Sequence, residues 1–257
     1  MKTSSSSLKK FLTNLAIIIF WLLVWELANF LIDSRIIIVS PRTTFARLFE
    51  LGQTANFWQS ILTSMYNIMR GFGLALGVGI VIAMVAAKVK IFHMLILPAI
   101  NVMNAIPFAS FVILVLFALG GGGAARLSIF VPFVMVVPII FHNTYKGIVN
   151  TDPKLLEMAQ VFRVPFWKKA IYIYLKSVAP YILSAAQVGI GFAWKSGIAA
   201  ELFGIVRGTI GGNLHSARIH METADLFAWT ITIVILSYAM EKLFLLLFGR
   251  VKRWQSN

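Results

Sequence analysis

The chain contains no cysteine in 257 residues. That excludes disulfide cross-links, thiol catalysis and cysteine-ligated metals. It is also short of charge: 12% of its residues are Asp, Glu, Lys or Arg, where an average soluble domain carries about 25%. Hydrophobic residues make up 59%, against roughly 45–50% in such a domain, and the mean hydropathy is +0.85. A large core absorbs apolar residues but does not remove the need for a polar exterior. A soluble enzyme, a disordered chain and a secreted disulfide scaffold are therefore excluded. Negative charge is the scarcest: 9 acidic residues stand against 23 basic ones, for a net charge of +14. In a soluble protein that balance fits nucleic-acid binding. In a chain with apolar runs of spanning length it reads instead as membrane loops enriched in Lys and Arg on the cytoplasmic side, and no nucleic-acid partner is expected.

The usual catalytic signatures are missing as well. No Gly-Lys dipeptide occurs, so the phosphate-cradling loop of an ATPase is absent. Gly71-x-Gly73 lies within an apolar helix and is not a dinucleotide loop. His215, His220 and Glu222 match no common ligand spacing and read as part of an extracytoplasmic loop. No Ser/His/Asp set or carboxylate pair assembles in a plausible cleft. Neither a metal nor another cofactor is expected, and energy for any work must come from another chain or from an ion gradient.

What is present is a series of apolar runs. A helix needs about 20 mostly apolar residues to cross a bilayer. Using charges as punctuation, spans fall at 11–32, 61–87, 95–119, 127–145, 177–200 and 224–248. The third follows an interfacial lead-in and contains Pro107, which is expected to bend it. The four glycines at 120–123 read as a turn, with a gate hinge as the alternative. No clear cleavage site follows the first apolar run, so it reads as an uncleaved helix. Six spans put both termini on one side. Allotting the loops that way places 15 basic residues on one side and 6 on the other, with Arg70 and Lys195 inside spans. The richer side is cytoplasmic, so both termini are expected inside. The expected divisions are a loose cytoplasmic tail at 1–10, an all-α transmembrane domain at 11–248 with an inside loop at about 146–176, and a cytoplasmic tail at 249–257.

That inside loop is the most informative segment. Asp152-Pro153 is a good helix start, with an acceptor at the N-cap and a residue without an N–H at the first position. Leu155, Leu156, Ala159 and Phe162 recur at helical spacing, and Pro165 stops the helix. A short amphipathic helix here either lies in the lipid interface or docks a soluble partner. The loop resembles the "EAA" loop of permease subunits of bacterial ATP-binding-cassette importers, which reads Glu-Ala-Ala, three residues, Gly, nine residues, Ile-x-Leu-Pro. Glu157, Ala159, Ile173 and Leu175 match; Met158 replaces the first Ala, Arg163 the Gly and Lys176 the Pro. Arg70-Gly71-Phe72, Asn143-Thr144 with Asp152-Pro153, Ala193-Trp194, the run from Ala199 through Glu201 to Leu202, and Ile210-Gly211-Gly212 resemble the permeases of the nitrate/sulfonate/taurine/bicarbonate type, over about residues 40–248.

The resemblance implies a type I importer fold with six transmembrane helices and a cytoplasmic coupling helix in a bacterial inner membrane. It also implies two cytoplasmic ATPase subunits, an extracytoplasmic solute-binding protein and a second permease chain, forming a homodimer. A small solute, anions first, would pass by alternating access. Leu155, Leu156, Glu157, Ala159, Phe162 and Arg163 would carry the coupling to ATP hydrolysis, with Glu157 orienting the loop by a charge pair.

Within the spans, Gly73 and Gly77 have the spacing of close helix packing. Asn101, Asn104 and Ser110 surround Pro107 and are candidates to line the pathway. Lys195 and Glu201, in a run of small residues, either sit at an interfacial helix end or line the outer pathway or dimer seam. Arg70 and Glu26 are expected to reach toward headgroups. An ion-coupled secondary transporter is the alternative, but no internal repeat and no Asp at a span centre supports it.

Overall fold

The computed structural model describes residues 3–34, 36–119 and 124–254. The 120–123 glycines lie outside the described residues, as do Met1, Lys2, Arg35 and the last three residues. Everything described is helix or short connection. In chain order the helices are α1 (Thr3–Ile32), α2 (Pro41–Gly52), α3 (Ala55–Lys88), α4 (Lys90–Ala105), α5 (Phe108–Leu119), α6 (Ala124–Val149), α7 (Pro153–Val161), α8 (Phe166–Lys169), a π-helical stretch (Ala170–Leu175), α9 (Lys176–Gly204), α10 (Ile210–Ile219) and α11 (Thr223–Trp254). Local chemistry sets several starts. The Ser40 side chain accepts from the Thr43 N–H ahead of α2, Thr54 from Phe57 ahead of α3, and Asp152 from Lys154 ahead of α7, each satisfying an N–H that has no partner within the helix.

Four helices, α1, α3, α6 and α11, are long and apolar enough to cross a membrane unaided. The third expected span is not one straight helix. The chain breaks at Ile106-Pro107, and α4 and α5 meet at 107°. Proline does more than bend here: it pushes the preceding residue out of the helical region, and Ile106 is extended with φ −65° and ψ 124°. The fifth expected span corresponds to α9, which is rich in Gly, Ala and Ser. At the chain start, α1 runs back to Thr3 rather than leaving a loose tail. At the far end, α11 runs on to Trp254.

The core is the mutual packing of α3, α6 and α9. Ile68 and Phe72 of α3 meet Val136, Val137, Ile140 and Phe141 of α6, and Ala193 and Trp194 of α9. Close approach depends on small residues. A Cβ on Gly71 would lie 2.4 Å from the Ile129 carbonyl oxygen, and one on Gly197 2.4 Å from Ile68 Cγ1. Gly73 and Gly77 were the expected packing pair, but both are exposed with nothing within 4 Å of an added Cβ. The residues with that role inside the chain are Gly71 and Gly79, whose Cβ would meet Ile140 at 2.9 Å. The expected motif lies on the opposite side of α3, because two residues along a helix turn its face by about 200°.

Helix α1 stands apart from this core, and the apolar window at 12–32 is 0% buried. It is held through Trp25, whose indole N–H donates to the Val39 carbonyl at 3.0 Å and whose ring stacks on Phe227 of α11 at 5.5 Å. Helix α2 is tied to α11 by Arg47, which clasps Asp225 through two nitrogens and Glu50 at 2.9 Å. The hydrogen bonds it donates to Asp225 and Glu50 raise the guanidinium above its ordinary pKa.

Replacing Gly71 by Ala should lower stability by about 1–3 kcal/mol, the usual cost of overpacking. Gly73→Ala should leave the fold unchanged or more stable, because Ala favours a helix over Gly by about 1 kcal/mol. Thermal unfolding of both variants in detergent checks the contrast; equal losses would refute the assignment of faces.

Candidate functional site

A buried polar knot joins α3, α9 and the start of α10. Ser64 Oγ on α3 donates to Glu201 Oε2 at 2.7 Å and accepts the Ile210 N–H at 2.9 Å. The Gly211 N–H donates to the same carboxylate oxygen at 3.2 Å. Thr209 caps α10, its hydroxyl donating to the Val206 carbonyl at 2.6 Å and accepting the Gly212 N–H at 3.1 Å. Ser60, one turn before Ser64, accepts from Asn213 at 2.9 Å. The carboxylate therefore sits at a helix N-terminus, where free N–H groups and the helix dipole favour negative charge. Ser128 of α6 stands close to it, although neither its Oγ nor Glu201 Oε1 completes a hydrogen bond. Glycine is required at this contact: a Cβ on Gly211 would fall 2.3 Å from Glu201 Cβ, and one on Gly212 2.1 Å from the Val206 oxygen. Ile205 turns the chain between α9 and α10 with a positive φ of 53°, an uncommon conformation for a β-branched residue.

Glu201 was expected at the pathway or the dimer seam. It is instead fully buried within the chain, and its carboxylate is used for internal packing. Lys195, six residues earlier on α9, is exposed, so the two do not share a face. Asn101 and Asn104 on α4 and Ser110 on α5 are also exposed. Arg70 sits with its guanidinium 5.2 Å from the exposed Tyr66 ring. Gly197 packs on Ile68, and Gly189 reaches Phe72, so α3 and α9 run antiparallel. Arg70 and Lys195 each lie two residues past the Gly197–Ile68 contact in the same direction, and so at one level. Two residues turn a helix by about 200°, so each points away from the crossing, on opposite sides of the α3–α9 pair. Glu26 lines an outer hollow with Asp33, Glu222 and Asp225. Sequence reasoning missed Ser64 and Ser60. Their signal was two serines one turn apart in an apolar helix, which is too common to single out.

The 146–176 loop folds as expected at α7. Ala159 is buried and Leu156 half-buried, packing inward. Leu155, Met158, Val161 and Phe162 are exposed, the last two at 78% and 75%. This helix therefore presents apolar side chains outward. Glu157 is exposed, and both ion pairs among the described residues belong to Arg47, so the expected charge pair of Glu157 is not made within them. At the departure from the glycine pattern, the chain still closes α7 with a left-handed turn. Arg163 takes the left-handed conformation with φ 48°. Its N–H bonds the Gln160 carbonyl at 3.1 Å, and the Val164 N–H bonds the Ala159 carbonyl at 2.9 Å. These two bonds define a Schellman helix end, whose left-handed position favours glycine.

The described helices thus form an apolar, multi-span bundle with an outward-facing apolar knob on one connecting loop. Residues 75–253 match the family described as binding-protein-dependent transport system inner membrane component, and the chain belongs to it. It is similar to the aliphatic sulfonates transport permease protein SsuC of Bacillus subtilis, 23% identical over 91% of this chain and 84% of that protein. The taurine transport system permease protein TauC of Escherichia coli is 22% identical over 91% of this chain and 86% of its own length. The bicarbonate transport system permease protein CmpB of Synechococcus elongatus is 27% identical over 60% of this chain and 54% of its own length. The chain is thus a multi-pass inner-membrane permease of the ATP-binding-cassette importer type, and the ion-coupled alternative is disfavoured.

Ser64→Ala and Glu201→Ala should each cost about 1–3 kcal/mol, the penalty for a buried polar group left without its partner. The double variant should cost clearly less than the sum, because both remove one network. Unfolding midpoints of the three variants check this; additive losses would dissolve the knot as a unit. Arg163→Gly should stabilise the end of α7 by about 1 kcal/mol, relieving a left-handed residue that has a side chain. Slower exchange of the Val164 amide hydrogen would register it.

Proposed function

We propose that the chain crosses the membrane six times, with both termini in the cytoplasm, and that two copies form the pathway of an importer for a small anionic solute. The observation that carries this reading is α7: a capped helix on the Lys-rich side with Leu155, Met158, Val161 and Phe162 turned outward around Glu157. An apolar face exposed to water implies a groove that covers it. Two cytoplasmic ATPase subunits supply those grooves, and a binding protein delivers the solute on the opposite side. Leu155, Glu157, Phe162 and Arg163 meet the ATPase, while Leu156 and Ala159 seat the helix on its own spans. Glu157, unpaired within the described residues, takes its cationic partner from the ATPase.

ATP binding draws the two α7 helices together and reorients the spans; hydrolysis resets them. The six-span count takes α4 and α5 as one broken crossing and α9 as a crossing shielded by its neighbours, which accounts for its modest apolarity. The pathway is lined by the faces left open in one chain, those of Asn101, Asn104, Ser110 and Lys195. Lys195 is an exposed cation on a span face, and such a group favours an aqueous cavity and an anion over lipid. The relatives named for sulfonates, taurine and bicarbonate support a small anion as cargo.

Glu157→Lys should leave membrane insertion intact while reducing solute-driven ATP turnover at least tenfold, measured on permease, ATPase and binding protein in proteoliposomes. Normal coupled uptake would refute the role of α7. Lys195→Met should slow uptake several-fold while the ATPase still co-purifies; unchanged uptake would remove Lys195 from the pathway.

A further inference from the structure

We propose that residues 166–176, immediately after the docking helix, form a binding site for anionic phospholipid headgroups at the cytoplasmic face. This rests on the orientation proposed above. The segment reads Phe-Trp-Lys-Lys-Ala-Ile-Tyr-Ile-Tyr-Leu-Lys, with four aromatic rings, three lysines and no acid. Between Glu157 and Glu201 the chain contains no carboxylate side chain at all. Phe166 and Trp167 are 67% and 76% exposed, and Ile171, Tyr172 and Leu175 are also exposed. Lys168 and Lys176 are exposed too, and Lys169 Nζ lies 6.0 Å from the Tyr174 ring centre. None of the three lysines makes an ion pair among the described residues.

Length places this segment at the headgroups. From Phe166 through the π-helical stretch to Gly204 the helix is unbroken, and at 1.5 Å per residue it is about 58 Å long. The hydrocarbon layer is about 30 Å thick and the whole bilayer about 40–45 Å. The tightly packed half of α9 begins near Ala185, so the first turns of this long helix extend into and beyond the inner headgroup layer. Amphipathic rings lie naturally at that level. Lysine stems run along apolar surface and bring their ammonium groups to phosphate, and the anionic inner leaflet attracts such clusters. An ATPase groove would suit the two aromatic rings but not three lysines spread over almost the whole segment. The occupant is therefore a phospholipid whose phosphate keeps its negative charge. Because only four residues, 162–165, separate α8 from α7, lipid held here fixes the height of the docking helix.

The test uses the assembled permease with its ATPase and binding protein in nanodiscs of phosphatidylcholine, with or without phosphatidylglycerol. Phosphatidylglycerol should raise binding-protein-stimulated ATP turnover several-fold. The variant with Lys168→Gln, Lys169→Gln and Lys176→Gln should lose most of that gain, and the matching Lys→Arg variant should keep it. Native mass spectrometry should show the Gln variant retaining fewer phosphatidylglycerol molecules. The proposal is overturned if the lipid gives no gain, or if the Gln variant gains as much as the native complex. It is also overturned if Phe166→Ala with Trp167→Ala releases the ATPase during purification, because the face would then belong to that partner. Orientation is read separately, by attaching a membrane-impermeant reagent to Lys168→Cys. Labelling only from outside would sink the orientation itself, independently of any lipid effect.

Discussion

The structure depends on one buried carboxylate. Glu201 lies at the end of a long helix, with no cation within ion-pairing reach among the described residues, in a chain that has 23 cations to offer. A carboxyl group in an apolar interior is costly unless its oxygens are hydrogen-bonded. It is tolerated here because its partners are dipoles fixed in place: the Ser64 hydroxyl and the N-terminus of α10. A lysine partner would bring its own desolvation cost and a flexible stem. Backbone N–H groups bring neither, since they need a partner in any case. The same close approach accounts for the glycines at 211 and 212, because a Cβ there would collide with Glu201 Cβ and the Ile198–Leu202 backbone, or with the Val206 carbonyl.

The knot determines how the end of the molecule around α10 is assembled. α10 is only ten residues long, too short to be stable on its own in water or lipid. Its start is held by Ser64 and Glu201, its first turn by Thr209, and its side by the bond between Asn213 and Ser60. Three elements thereby share one polar centre, with the α3–α6–α9 core packed directly beside it through Gly197 and Ile68. On another flank the Arg47–Asp225 clasp fastens α2 to α11. Outer helices anchored by such contacts are expected to move with the spans they cap.

Much of this was legible in the sequence, and the failures share a cause. The apolar runs and the capped helix after Asp152 follow from composition and spacing, which are local properties. Gly73 and Gly77 meet no neighbour within this chain, because a spacing motif reports which residues share a face, not which neighbour covers it; Gly71 and Gly79 share a face just as well, and α6 covers that one. Glu201 was misplaced for the same reason. A carboxylate near a span end looks like a pathway group until a serine from a helix 137 positions away is seen to hold it. Pro107 was expected to bend a helix, but whether a proline kinks or breaks it depends on whether neighbours can satisfy the freed carbonyls. Arg163 shows the opposite case. Its sequence departs from a glycine pattern, yet two backbone bonds hold a left-handed turn there, because the cost of a left-handed arginine is smaller than that of leaving a helix end unsatisfied.

The two ends of the long helix that includes α9 are thus chemically opposite. One end continues from the loop that carries α7 and is polar, aromatic and open to its surroundings. The other ends in a buried carboxylate that fixes α10. Between them the hydrogen-bonding pattern departs from α-helix in the π-helical stretch at Ala170–Leu175, a local widening of a kind often found at functional positions, and at Pro180, which has no N–H to donate. A rigid rod with one locked end transmits displacement as tilt. Force applied at α7 would pass along α8 and through the π-helical stretch, and would swing the Lys195 face while the knot keeps α10 in step with the rod. Such a lever needs small residues along its packed side so that it can pivot without interlocking, and α9 buries Ala185, Ala186, Gly189, Ala193, Ser196, Gly197 and Ala200 there. The same composition lowers its apolarity below that of an independent membrane span, although the apolar run at 177–200 still marks it in the sequence.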